Sequence, residues 1–215
     1  MLLKHKKGSN VSHIEERPYQ VPPHGTEKLN GRPVIVGSGP AGLACANRLN
    51  RMGYSVTVYE KDELPGGLLR FGIPNFKLGK EIVRRRIRLM EEEGIVFKTG
   101  VCIGSDIKSS DILEKYDAVC LAIGSETPRD LPVEGRGLSG VHFALELLSM
   151  QNRLLEGIPV PPEKQINARG KKVLVIGGGD TGSDCVGTAN RHGAASVTQI
   201  EIMPCPPEGY NPATP

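Results

Sequence analysis

The chain has 215 residues, 27 Lys and Arg against 24 Asp and Glu for a net charge of +3, and 38% hydrophobic but only 4% aromatic residues. At roughly 150 residues per domain this is one to two domains, and the composition excludes disorder, collagen-like repeats and a disulfide scaffold. No run approaches the ~18 apolar residues of a membrane span, and the start of the chain lacks the apolar core of a signal peptide.

Residues 1–30 carry no apolar periodicity and read as an extended basic arm. Six Lys and Arg (Lys4, Lys6, Lys7, Arg17, Lys28, Arg32) stand against three Glu within residues 1–32, and the remaining body is neutral at 21 against 21. No basic domain exists to hold nucleic acid, and no membrane partner is expected. At Val34-Ile35-Val36 a short apolar strand begins and runs into Gly37-Ser38-Gly39-Pro40-Ala41-Gly42. A helical stretch with Leu43, Ala46, Leu49 and Met52 follows, stopped by Gly53. Val56-Thr57-Val58-Tyr59-Glu60 is a second strand, so a β-α-β unit is complete in about thirty residues.

Residues 79–94 read as a helix, with Val83, Ile87 and Met90 on one face. Arg84, Arg85, Arg86 and Arg88 crowd the others, a solvated face balanced by Glu91, Glu92 and Glu93. Residues 95–99 and 117–123 are further strands, and 141–155 a helix, followed by a loop with Pro159, Pro161 and Pro162. Then the first motif returns. Val173-Leu174-Val175-Ile176 enters Gly177-Gly178-Gly179-Asp180-Thr181-Gly182, a helix runs to about His192, and residues 196–201 form a strand ending in Glu201. This is an internal repeat of one supersecondary unit. Because residues 173–176 are continuously apolar, they ask for burial on both faces.

Each glycine in such a β-α turn has its own task. The first (Gly37, Gly177) permits the tight turn, the second (Gly39, Gly179) lets backbone approach a pyrophosphate, and the third (Gly42, Gly182) lets helix pack on strand. The helix N-terminus offers free N–H groups and about half a positive charge to the phosphates. The acid that accepts ribose hydroxyls is Glu60 in the first copy and Glu201 in the second, close to the expected offset of about 20 residues. Two dinucleotide sites in one chain imply hydride transfer between a bound redox cofactor and a diffusing nicotinamide, with no catalytic acid or base required.

The cysteines, Cys45, Cys102, Cys120, Cys185 and Cys205, include no C-x-x-C pair, which fits free thiols in a reducing cytoplasm. Cys45 and Cys185, on helix faces just past the glycines, read as buried small apolar residues. His142 and His192 have no partner in a recognisable catalytic spacing and read as structural or surface residues. No metal site is expected.

The blocks 37–42, Glu60-Lys61, Pro65-Gly66-Gly67-Leu68, Gly72-Ile73-Pro74-Asn75-Phe76-Lys77, Leu121-Ala122-Ile123-Gly124, Gly140-Val141-His142-Phe143-Ala144 and 177–182 with Asp184-Cys185 stand in the order seen in the small (beta) subunit of glutamate synthase. The chain resembles that family from about residue 31 to 212. The family is part of the flavoprotein group with two dinucleotide-binding domains. The resemblance implies an α/β fold: a Rossmann-like FAD-binding domain portion, residues 31–136, followed by an incomplete second Rossmann-like NAD(P)-binding unit, residues 137–215. It implies NAD(P)H oxidation by FAD, with electrons passed on to a glutamate synthase large-subunit-like protein or another iron–sulfur/flavin acceptor, where glutamine and 2-oxoglutarate give glutamate.

By the same resemblance, Gly37, Gly39, Pro40, Ala41 and Gly42 hold the FAD pyrophosphate and Glu60, followed by Lys61, its ribose. Gly67, Leu68 and Lys77 line the flavin channel, Val101 and Ile103 lie near the adenine, and Ala122 and Gly124 close over the cofactor. Gly177, Gly178, Gly179, Asp180, Thr181, Gly182 and Glu201 meet the nicotinamide dinucleotide. The arm has no cysteine, so no iron–sulfur cluster is expected on this chain. Glu201 is followed by Ile202-Met203-Pro204-Cys205 instead of a Lys or Arg, which leans the preference to NADH over NADPH. Only two strands of the second unit are present, which suggests a fragment, a truncated product, or a sheet completed by another polypeptide. Two alternatives stay open: a non-catalytic nucleotide-binding or interaction remnant, and the same electron-input module serving a different acceptor.

Overall fold

Val34 and Ile35 are both fully buried, although neighbouring strand residues point to opposite faces. A strand buried on both sides must lie inside a sheet covered on both sides, and the computed structural model, which describes residues 29–204, shows that sheet. Its strands are β1 (Pro33–Val36), β2 (Thr57–Tyr59), β3 (Val96–Lys98) and β4 (Ala118–Leu121), in the order β3-β2-β1-β4. All three pairings are parallel, with Ile35 opposite Val58 and Cys120.

On one face lie α1 (Pro40–Arg51) and α3 (Lys80–Glu92), and there Ile35 and Val58 pack with Leu43, Ala46, Val83, Ile87 and Met90. The other face carries α4 (Ser109–Lys115), where Val34 and Tyr59 meet Ile112 and Tyr116. A four-residue helical turn, α2 (Leu68–Phe71), lies between β2 and α3.

The second unit begins with α5 (Ala144–Leu155), which starts three residues later than the sequence suggests. The backbone is extended at Phe143, whose N–H donates to the Glu146 carboxylate at 3.0 Å, and this capping contact fixes the start. A 3-10 turn at Pro162–Lys164 leads to β5 (Lys172–Ile176), α6 (Asp180–Arg191) and β6 (Ser196–Ile200). β5 and β6 pair in parallel as a two-stranded sheet.

The expectation of two-sided burial at 173–176 is corrected here. Helix α6 covers only the face of Val173 and Val175, and Leu174 and Ile176 are 57% and 63% exposed on the other. Helix α5 packs on both α2 and α6 and so ties the two units together. No described helix is long and apolar enough to cross a membrane. The arm through residue 28, with Lys4, Lys6 and Lys7, and the tail from Cys205 lie outside the described residues.

Candidate functional site

The two glycine turns are built alike. Gly37 and Gly177 take φ of 101° and 116°, a region only glycine occupies cheaply, and each turn is anchored by its first N–H. Gly37 N–H donates to Tyr59 O at 2.8 Å, and Gly177 N–H to Ile200 O at 2.9 Å. A Cβ on Gly42 would lie 2.0 Å from Gly37 O, and one on Gly182 2.2 Å from Gly177 O, so both positions are closed by helix–strand contact.

The middle glycines differ in kind. Gly39 and Gly179 have φ of −65° and −73°, which any residue adopts, and an added Cβ on either would meet nothing within 4 Å. The fold asks for glycine at the first and third positions and is indifferent at the second. A bare approach to the N-termini of α1 and α6 is what glycine provides there.

Both acids close onto their turns. The Glu60 carboxylate, buried, accepts from Ser38 N–H at 2.9 Å, Ser38 Oγ–H at 2.5 Å and Asp62 N–H at 2.9 Å. Glu201 accepts from the N–H groups of Gly178, Ile202 (2.6 Å) and Met203 (3.1 Å), and these donors hold its carboxyl below the usual carboxylate range. Each acid thus uses three of about four lone-pair sites, which leaves room for one further hydroxyl donor.

The segment 62–77 lies against the first turn. Gly66 N–H donates to Ser38 Oγ at 2.9 Å, and a Cβ on Gly67 would come within 2.8 Å of Gly39 Cα. Its far end reaches the second unit, where Lys77 Nζ lies 2.5 Å from Asp184 and 3.9 Å from the fully exposed Asp180, with the Lys77 pKa raised mainly by Asp184. Leu68 is exposed at the start of α2. Lys61 pairs with Glu126 on the loop beyond β4. Val101 donates to Glu60 O at 2.9 Å and packs with Ile103 against the Tyr59–Tyr116 cluster. Ala122 N–H donates to Val36 O at 2.8 Å, and its carbonyl oxygen would be 2.3 Å from a Cβ on Gly37. Gly124 stands in open space at φ 68°. Thr181 follows Asp180 in the first turn of α6.

Three residues that the spacing rules passed over take part in this arrangement. Ser38 is fully buried and links Glu60 to Gly66. Lys80 and Asn152 are buried donors onto the 69–73 backbone. Only Ser38 sits within a recognised motif, at a position the motif leaves unspecified.

Cys185 is buried, and burial with the neighbouring Asp184 pushes its thiol up to about 11, so it is a packing residue at neutral pH. Cys45 is half-buried and packs against the first core cluster, as does Cys120. His192 bonds Gln151 Oε1 at 2.8 Å and is held below its ordinary pKa by burial; His142 lies exposed, 3.7 Å from Glu146. Among the described residues no group of three His, Cys, Asp or Glu could hold a metal.

The family model of the pyridine nucleotide-disulphide oxidoreductases matches residues 31–213. The chain is 50% identical over 199 residues to the glutamate synthase (NADPH) small chain of Mycobacterium tuberculosis, which covers 91% of this chain and 41% of that protein. It is 49% identical over 194 residues to glutamate synthase (NADH) of Schizosaccharomyces pombe, covering 89% of this chain and 9% of that protein. The chain therefore spans about two fifths or less of the length of these relatives. Among solved structures, a His57Gln mutant of FprA from Mycobacterium tuberculosis superposes with a TM-score of 0.66 at 23% identity, over 80% of this chain and 43% of that one. That likeness is one of fold.

Proposed function

Because the chain belongs to the pyridine nucleotide-disulphide oxidoreductase family, we propose that it is the electron-input module of a glutamate synthase small-chain-like flavoprotein. Residues 31–136 form its FAD-binding part and 137–215 its NAD(P)H-binding part. The observation that carries this reading is the pair of middle glycines: Gly39 and Gly179 are glycine where neither dihedral nor packing requires it, at the N-terminus of a twelve-residue helix in each case.

In this reading Gly37, Gly39, Pro40, Ala41 and Gly42 receive the FAD pyrophosphate, and the free lone pair of Glu60 takes a ribose hydroxyl. Lys61, Gly67, Leu68, Lys77, Val101, Ile103, Ala122 and Gly124 border the same cofactor. Residues 177–182 and Glu201 do the equivalent for the nicotinamide dinucleotide. FAD, when bound, supplies a hydride acceptor; the chain's own groups bind, orient and exclude water, and none is needed as acid or base. Electrons then leave to an iron–sulfur or flavin partner of the kind found in the glutamate synthase large subunit. A cytoplasmic setting is supported by the four free described thiols.

The test is optical. The chain mixed with FAD and passed through a desalting column should stay yellow and bleach under NADH without air. A colourless eluate removes the reading. The names of the relatives include both NADH and NADPH, so the preference rests on this chain's own residues. Glu201 is kept ionised by its three backbone donors, and an anion at the ribose opposes a 2′-phosphate. Bleaching is expected to need ~tenfold less NADH than NADPH, and Glu201→Gln to narrow the gap. Equal requirements would place the discrimination elsewhere.

A further inference from the structure

The chain from Gly66 to Lys77 has to lie in one place if it is to border a flavin, yet it holds only a four-residue helical turn. The last carbonyls of any helix lack intrahelical partners, and buried carbonyls left unpaired are costly. Leu68 O is served by the N–H groups of Gly72 and Ile73, at 2.9 and 2.8 Å. Beyond it, the carbonyls of Leu69, Phe71, Gly72 and Ile73 are served from outside. Asn152 on α5, 1% exposed, directs Nδ2 at the oxygens of Phe71, Gly72 and Ile73, at 3.1, 3.4 and 3.2 Å. Lys80 at the start of α3, 3% exposed, directs Nζ at Leu69 O (3.2 Å) and Ile73 O.

We infer that Asn152 and Lys80 are positioning residues for the flavin: they gather four carbonyls of the 69–73 backbone and thereby hold Gly66 and Gly67 against the first glycine turn. The inference rests on the FAD reading of that turn. Transmission is short. Arg70 Nε donates to Pro65 O at 2.6 Å, Gly66 donates to Ser38 Oγ, and Gly67 abuts Gly39. A shift at 69–73 therefore reaches the turn through two or three contacts. The Asn152 amide oxygen has no hydrogen-bond partner, so the side chain acts on the segment through its donors alone. Both side chains come from helices outside the segment, so it is registered against α3 and α5 together.

The experiment compares Asn152→Leu and Lys80→Met with the unmodified chain, each titrated with FAD and read by visible circular dichroism of the bound flavin. Each variant should raise the FAD Kd by ~tenfold or more and alter the flavin band. The double variant should be less than additive, because both donors share Ile73 O. If Asn152→Leu does not fold, Asn152→Ser, which retains a shorter donor, provides the comparison. Variants that lose thermal stability but bind FAD with unchanged Kd and band shape overturn the inference and leave the FAD reading intact. An unmodified chain that takes up no FAD removes the reading, and the inference with it.

Discussion

Gly42→Ala is expected to abolish FAD retention and to cost about 3 kcal/mol of stability, the upper part of the usual overpacking range. The Cβ would sit 2.0 Å from Gly37 O and 3.0 Å from Gly37 C, and both are backbone that cannot rotate away. Relief requires α1 to move off β1, where Leu43 and Ala46 are packed in the core with Ile35. The same displacement would carry the helix N-terminus away from the proposed pyrophosphate position. Gly182→Ala is the matched experiment in the second unit, with its Cβ 2.2 Å from Gly177 O. It should spare the yellow colour and remove bleaching by NADH. Each unit is thus disabled separately, and a Gly182→Ala chain that loses flavin but keeps nicotinamide binding would reverse the assignment of the two turns.

Glu156→Gln should cost about 3–5 kcal/mol, the range for removing one partner of a buried ion pair. The Glu156 and Arg70 side chains are each 3% exposed and meet at 3.1 Å, and Arg84 lies 3.7 Å from the same carboxylate oxygen. Neutralising Glu156 leaves the buried Arg70 without its carboxylate partner and removes the larger of the two anionic pulls on Lys80, that of Glu81 remaining. Urea unfolding should show the loss as a lower midpoint at nearly unchanged slope. The pH dependence has a definite sign. Burial pushes Lys80 down to about 8 from 10.5, while Glu156 pulls it upward. Between those values the unfolded chain binds more protons than the folded one, so stability rises as pH goes from about 8 to 10.5. Below 8 both forms are protonated and the burial cost is fully present. Lys80→Met should flatten that rise, and Glu156→Gln should extend it to lower pH.

The two turns were legible in the sequence because their requirements are local. A positive φ at Gly37 and Gly177 and a helix–strand contact at Gly42 and Gly182 are fixed by residues within six positions of one another. The acids were legible because a strand of fixed rise brings Glu60 and Glu201 to the turn they follow. Helix α4 was not, since only Ile112 of its seven residues is buried and one apolar residue makes no stripe. The turn at α2 is too short for any periodicity. Lys80 and Asn152 were invisible for a different reason. Their partners are backbone carbonyls 7 to 81 residues away in the chain, and a contact from side chain to backbone leaves no pattern in the partner's residue types. Residues 173–176 misled because apolar character records what a strand can bury, whereas α6 covers one face only.

Glu60 also changes meaning once its contacts are seen. On spacing alone its removal should cost the flavin and spare the fold. Its carboxylate in fact also holds Ser38, and through Ser38 the Gly66 N–H, so Glu60→Ala should loosen the turn as well as the proposed ribose site. It is therefore a poor probe of ligand binding by itself.

Gly39 is the better probe, because the protein makes no use of its missing side chain. FAD affinity and the melting temperature of Gly39→Ala, measured beside the unmodified chain, test the central claim most directly. At φ −65° with nothing within 4 Å of the new Cβ, the fold should lose no more than about 1 kcal/mol, from the weaker helix cap, which moves Tm by roughly 2–4 °C. The FAD Kd should rise by ~tenfold or more, because the methyl group occupies the space the pyrophosphate needs. An unchanged FAD Kd in a folded Gly39→Ala chain would contradict the account.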